Sequence, residues 1–136
     1  MSYMERSIEH LLRNRGYKSE GEREIAEFLE DARIDFVYEK PILIEDKGKQ
    51  RIWYPDFWLP DYSIIIEYFG VVGEETHDLA IKHKMDVYTE NRLNVIPIYP
   101  QTFETDWQDY VLRNIRKNLV RRVIDFEEKD RHYQRI

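Results

Sequence analysis

The sequence predicts an α/β fold with a central mixed sheet of about four strands. Two helical segments are followed by three strand-like segments, a helix, a further strand and a long terminal helix. The first three strands follow one another directly, as in an antiparallel meander, whereas the helix before the last strand provides the crossover that a parallel pair needs. We therefore expect three layers, α/β/α.

Length and composition are typical of one globular domain. The 136 residues are 42% hydrophobic and 14% aromatic, which allows one modest core. We expect a helical extension over residues 1–18 and a single domain over residues 19–136. No apolar run approaches the roughly 20 residues of a membrane helix, and the first residues are unlike a signal sequence. An intracellular (cytoplasmic) protein without a membrane partner is expected.

The first two segments predict helices. Ser2–Asn14 has apolar residues at helical spacing and is followed by Gly16 as a stop. A stronger helix begins after Ser19, which is the predicted N-cap, and Glu22 stands at the capping-box position three residues later. The apolar stripe of this helix consists of Ile25, Phe28, Leu29 and Ala32.

The middle of the chain predicts a hairpin and a central strand. Residues Ile34–Ile44 alternate in polarity and predict one strand, Glu45–Gln50 form a polar turn, and Arg51–Leu59 return. After a turn, Tyr62–Phe69 is apolar at both parities, which is typical of a strand covered on both faces.

The last third predicts a helix, a strand and a helix. Thr76–Arg92 has an apolar face with helical spacing, and Asn94–Tyr99 is a short buried strand. Glu104–Glu128 predicts the long terminal helix, and the polar residues after it are expected to fray.

Two carboxylates are predicted to meet within the sheet. Asp56 lies near the end of the second strand and Glu67 lies inside the third, so antiparallel pairing brings their side chains together. A lone carboxylate among apolar residues costs several kcal/mol unless it is paired, protonated or metal-bound. A salt bridge between Glu67 and a core-facing lysine or arginine is the structural alternative.

Glu22 is a third candidate, because its spacing places it at the edge of the apolar stripe, although the capping box accounts for it equally well. Converging carboxylates suit Mg²⁺ or Mn²⁺, which prefer oxygen ligands. With no cysteine and four histidines in the chain, a thiolate site is excluded and a histidine site is disfavoured. Hydrolysis of nucleic acid is the obvious use of such an ion.

The motifs carry a resemblance to a known family. Residues 54–62 read YPDFWLPDY, residues 65–70 read IIEYFG, and residues 21–25 read GEREI. This pattern resembles the PD-(D/E)xK nuclease superfamily, and within it the small nucleases related to very-short-patch-repair endonucleases and the modules appended to some helicases. The resemblance covers about residues 19–103.

The resemblance implies a restriction-endonuclease-like fold and a metal-dependent endonuclease that acts on DNA. It makes Asp56 and Glu67 metal ligands, Glu22 a supporting acid, and the carbonyl of Tyr68 a further ligand for Mg²⁺ or Mn²⁺. It also allows a homodimer, although no interface is identified in the sequence.

One position departs from the family pattern. The superfamily's lysine, two residues after the glutamate, is replaced by Phe69. Lys84 is the best substitute, because apolar residues three and four positions away turn its stem toward the sheet; a lysine that merely lies along an apolar surface is the alternative. Lys82, between Asp78 and Asp86, is expected to be solvated.

The net charge is −6, yet the terminal helix is locally basic. Arg113, Arg116 and Lys117 are the candidate DNA contacts, and pairing with acids four residues away is the alternative. The sequence thus favours a Mg²⁺-dependent endodeoxyribonuclease, for which recognition of a particular DNA structure is one option. A catalytically silent nuclease-fold module for DNA or protein binding is the alternative, and an RNA-processing nuclease differs only in its substrate.

Overall fold

The computed structural model describes residues 16–134. It divides into two compact units, Met1–Ile34 and Asp35–Ile136, which are treated separately below. The helix predicted over Ser2–Asn14 lies outside the described residues. No helix among residues 16–134 is long and apolar enough to cross a membrane.

The described part of the first unit is built around helix α1 (Glu20–Asp31). Ser19 has extended backbone and its Oγ accepts the main-chain N–H of Glu22 at 3.1 Å, so the predicted N-cap is confirmed. The buried face includes Ile25 and Leu29, as the stripe predicts. Ala32 was assigned to the same stripe, but it is exposed because the helix ends there and Ala32 is its C-cap.

The second unit contains six strands and two α-helices among its described residues. The strands are β1 (Val37–Tyr38), β2 (Ile42–Asp46), β3 (Lys49–Trp53), β4 (Phe57–Leu59), β5 (Ile64–Tyr68) and β6 (Asn94–Ile98). The helices are α2 (Glu75–Glu90) and α3 (Trp107–Gln134), with a 3₁₀ helix at Pro100–Glu104.

The main sheet has the strand order β1-β4-β5-β6. The first two pairings are antiparallel, and β5 pairs with β6 in parallel, because α2 forms the crossover between them. The predicted mixed sheet of about four strands is therefore confirmed. Its centre is β5, whose Ile64, Ile65 and Ile66 are fully buried.

The predicted first hairpin is wrong in its extent. Strands β2 and β3 form a separate two-stranded sheet, so each of the two long strands expected over Ile34–Ile44 and Arg51–Leu59 is interrupted. Glu39 has a left-handed backbone with φ of 53°, which turns the chain, and Pro41 has no N–H to continue a ladder. The β2–β3 turn is only Lys47 and Gly48, both with positive φ, as a two-residue hairpin turn requires.

Helical segments lie against both faces of β5. The side chain of Glu67 points to one face of the sheet, where Tyr88 of α2 contacts it. The ring of Tyr68 points to the other face, where Phe103 of the 3₁₀ helix contacts it. The terminal helix begins at Trp107 rather than at Glu104, because the 3₁₀ helix precedes it. The second unit is thus a mixed α/β structure, while the three-layer restriction-endonuclease-like arrangement stays a prediction.

Candidate functional site

Asp56 and Glu67 are joined by the pairing of β4 with β5. Phe57 pairs with Ile66, which places Asp56 opposite Glu67 in the antiparallel register. The main-chain N–H of Asp56 donates to Oε1 of Glu67 at 3.1 Å, and the N–H of Tyr68 donates to Oδ2 of Asp56 at 2.7 Å. Each carboxylate therefore accepts a main-chain hydrogen bond from the neighbouring strand, and the predicted proximity of Asp56 and Glu67 is confirmed.

Glu67 is a carboxylate inside the core, and its side chain is only 1% exposed. Besides the N–H of Asp56, it accepts the hydroxyl of Tyr88 at Oε2, at 2.5 Å. The ammonium group of Lys84 lies 3.4 Å from the same oxygen. These three partners supply the hydrogen bonds and the opposite charge that a buried carboxylate requires.

Lys84 lies where the sequence predicts a substitute cation. Its Nζ is close to Glu67 and also lies over the ring of Phe69, 5.9 Å from the ring centre. The helix α2 thus brings a positive charge close to both Glu67 and Phe69. The same contact is also the salt bridge given above as the structural alternative for Glu67. The ion pair between Lys84 and Glu67 therefore agrees both with a substitute cation at a catalytic site and with a purely structural salt bridge.

Lys82 is oriented differently on the same helix. Its Nζ pairs with Asp86 at 2.9 Å and its side chain is 73% exposed, as expected for a solvated lysine. Lys84 is 36% exposed, so most of its side chain is covered. The two lysines therefore carry the same charge in contrasting surroundings, which makes them a matched pair for experiments.

Tyr88 is a site residue that the sequence analysis did not single out. Its spacing places it on the apolar face of its helix, and its ring packs edge-on against Trp53, at 5.3 Å between ring centres. Burial raises the pKa of the Tyr88 hydroxyl well above its usual range, and the charge of Glu67 and the hydrogen bond to it raise it further. Tyr88 follows Lys84 by one helical turn, and this spacing is the sequence signal that could have identified Tyr88 as a site residue.

An open cleft of about 260 Å³ lies on the surface of the second unit, and Lys84, but neither Asp56 nor Glu67, is part of its lining. It lies between the end of β5 and the first half of α2. Its lining includes Tyr68, Phe69, Val71, His77, Ile81 and Lys84. A ligand in the cleft would meet an apolar wall and the ammonium group of Lys84.

Glu22 belongs to the first unit and is buried there. Its Oε2 accepts the main-chain N–H of Lys18 at 2.9 Å, while its own N–H donates to Ser19. The side chain thus takes part in the start of α1, but the N–H that it accepts belongs to Lys18, one residue before the N-cap Ser19 whose N–H a capping box uses. The proposed role of Glu22 as a third acid of the metal site, like the ligand role of the Tyr68 carbonyl, stays a prediction.

Two carboxylates of the second unit, Asp56 and Glu67, are the candidate ligands for a hard cation. Within the described residues, no group of three or more histidine, aspartate or glutamate side chains could hold a metal ion. Mg²⁺ is commonly held by one or two carboxylates and several waters, so the pair Asp56 and Glu67 fits that chemistry. An ion held there would share Glu67 with Tyr88 and Lys84.

The candidate DNA contacts lie on α3. Arg113 pairs with Asp109 at 2.8 Å, four residues earlier, as the structural alternative predicts. Arg116 and Lys117 are exposed. Farther along, Arg122 donates to the carbonyl of Tyr62 at 3.1 Å. Of the three predicted contacts, Arg113 is therefore the one with a structural partner that accounts for its position.

Comparison of the chain with family models, curated proteins and solved structures found no match. The resemblance to PD-(D/E)xK nucleases thus rests on the motifs in the sequence. The geometry around Glu67 is an independent observation, because it comes from the pairing of strands and the packing of α2.

Proposed function

We propose that this protein is a metal-dependent endonuclease of the PD-(D/E)xK type that hydrolyses DNA phosphodiester bonds. The observation that carries the proposal is the meeting of Asp56, Glu67 and Lys84. Two carboxylates from adjacent strands and one ammonium group from a crossover helix lie together beside an open cleft. Such a combination of acids and a cation is the chemistry that phosphodiester hydrolysis requires.

The carboxylates supply the ligands in this proposal. Asp56 and Glu67 hold Mg²⁺ or Mn²⁺, with the Tyr68 carbonyl and Glu22 as further candidates. When bound, the ion neutralises charge on the phosphodiester and lowers the pKa of the attacking water. The hydrogen bonds from the Asp56 and Tyr68 main chain fix both carboxylates before any ion binds, which reduces the cost of assembling the site.

Lys84 supplies positive charge, and Tyr88 positions Glu67. The Lys84 ammonium group lies beside Phe69 at the cleft, where it can orient the water and stabilise the negative charge that develops on the phosphate oxygens. Tyr88 remains protonated because its pKa is raised, so it donates a hydrogen bond to Glu67 at every pH at which the enzyme would work. The DNA backbone is bound by exposed basic residues of α3, among them Arg116 and Lys117.

A specific observation favours the second candidate, a catalytically silent module for DNA or protein binding. Both oxygens of Glu67 already accept hydrogen bonds, and Lys84 is already paired with it. This arrangement stabilises a buried carboxylate without any reaction. Phe69 at the superfamily's lysine position agrees with that interpretation.

Incubation with a panel of branched and linear DNAs, in Mg²⁺ or Mn²⁺ and with EDTA as control, separates the two candidates. The endonuclease proposal expects cleavage of at least one DNA, abolished by EDTA and by Asp56→Asn. Matched RNA substrates in the same assay identify the RNA-processing alternative. Binding of DNA without cleavage in either metal would favour the silent module.

A further inference from the structure

The second half of α3 is exposed and carries apolar side chains. Between Leu119 and Arg131 every residue is exposed, over about 18 Å of helix. The large apolar residues among them are Leu119, Val120, Val123, Ile124 and Phe126, and Phe126 is 71% exposed. Clustered exposed apolar side chains of this kind mark an interaction surface rather than an ordinary solvated helix.

Part of this surface has the spacing of a coiled-coil seam. The alternation of four-residue and three-residue steps along α3 selects Leu112, Arg116, Leu119, Val123, Phe126 and Asp130. We refer to these six residues as the seam. A mean spacing of 3.5 residues keeps one narrow stripe facing a second helix along its length, about 27 Å in this case. The seam is apolar at its centre and charged toward its two ends.

Basic and acidic side chains occupy different segments of α3. Residues 113–122 include five basic side chains and no acidic one, namely Arg113, Arg116, Lys117, Arg121 and Arg122. Residues 125–130 include four acidic side chains and one basic one, namely Asp125, Glu127, Glu128, Asp130 and Lys129. A surface with opposite charges at its two ends and an apolar centre is complementary to a second copy of itself turned end to end.

We infer that two copies of this chain pair through the seam as an antiparallel, two-fold symmetric dimer. A parallel pair would place Arg116 against the partner's Arg116 and Asp130 against the partner's Asp130, which repel. In the antiparallel pair Arg113, Arg116 and Lys117 of each helix lie alongside the acidic segment 125–130 of the other, and Val123 packs against the partner's Leu119. Arg116 lies on the seam, so in this dimer Lys117 is the candidate DNA contact that stays exposed.

Sedimentation equilibrium over the micromolar range tests the dimer, with an adjacent residue as control. Val123→Glu places a carboxylate in the centre of the seam and should convert the dimer to a monomer. Ile124→Glu introduces the same charge at a residue of similar exposure, 48% against 56%, but off the seam, and should leave the dimer intact. A wild-type monomer at every concentration, or equal effects of the two substitutions, would overturn the inference and point to another occupant, such as residues 1–15 or a different protein.

The orientation is tested by cross-linking, because the chain has no cysteine of its own. In the antiparallel register, Leu112 lies opposite the partner's Asp130. A mixture of Leu112→Cys and Asp130→Cys chains should then form a disulfide between unlike chains, and Asp130→Cys alone should not. A disulfide in Asp130→Cys alone would show a parallel pair and reject the proposed geometry. These readouts report assembly and not cleavage, so they succeed or fail independently of the proposed nuclease activity.

Discussion

Tyr88 on α2 donates its hydroxyl to Oε2 of Glu67 on β5 at 2.5 Å, and both residues are buried. The bond joins the crossover helix to the central strand and ends on a carboxylate. A hydrogen bond to a charged acceptor contributes about 1.5–3 kcal/mol to stability, more than a neutral one, because removing the donor leaves a buried charge less well compensated.

Tyr88→Phe should therefore lower the free energy of unfolding by about 1.5–3 kcal/mol, measured by urea denaturation. The ring contact with Trp53 is retained, so the loss reports the hydroxyl. Tyr110→Phe is the matched control, because its hydroxyl donates to the neutral carbonyl of Pro97 at 3.1 Å, and should cost about 1 kcal/mol. A smaller loss for Tyr88→Phe than for Tyr110→Phe would contradict the role assigned to Tyr88.

The raised pKa of Tyr88 makes stability fall in alkaline solution. The hydroxyl ionises near its ordinary value of 10.0 in the unfolded chain but stays protonated in the folded one, because burial and the charge of Glu67 oppose ionisation. Above that pH the unfolded state binds fewer protons than the folded state. The contribution of Tyr88 to the free energy of unfolding, which is fully present at lower pH, is therefore progressively lost as the pH rises.

Denaturation of the wild type and of Tyr88→Phe from about pH 9 to pH 11 should thus give a steeper decline for the wild type. The difference between the two curves cancels the other groups that titrate there. Parallel curves would show that Tyr88 ionises equally easily in both states.

Metal binding should depend on the carboxylate pair. Titration of the wild type with Mg²⁺ or Mn²⁺ should show binding by calorimetry and a rise in the melting temperature, since an ion that binds only the folded state stabilises it by mass action. Asp56→Asn should abolish both effects while the protein still folds. Asp61→Asn removes an exposed carboxylate from the next turn and should change neither. Equal ion affinity in the wild type and Asp56→Asn would reject the proposed ligand.

The elements that follow from local chemistry were predictable. Ser19 and the spacing of Ile25 and Leu29 define α1, because capping and helical periodicity are properties of a few adjacent residues. The apolar run around Ile65 predicts a central strand, and antiparallel pairing of its neighbour predicts the meeting of Asp56 with Glu67. These inferences need only sequence distance and strand direction.

Features that depend on which surfaces meet were not predictable. Tyr88 has the spacing of a core residue, and only the packing of α2 on β5 shows that its hydroxyl reaches Glu67. The break at Glu39 requires a left-handed backbone at a residue type that rarely signals one. On α3 the periodicity predicts a helix, but it does not distinguish Ile115, which is buried, from Val123, which is exposed.

The single-turnover rate of DNA cleavage in Mg²⁺ or Mn²⁺ by Lys84→Ala and Lys82→Ala tests the proposed active site most directly. Both substitutions remove one positive charge from α2, but only Lys84 lies beside Glu67 and Phe69. Lys84→Ala should slow cleavage by about 100-fold with little change in DNA affinity, whereas Lys82→Ala should have a far smaller effect. Adding Phe69→Lys to the Lys84→Ala variant should restore part of the rate. Equal, small effects of the two alanine substitutions, or no cleavage of any DNA by the wild type, would contradict the account.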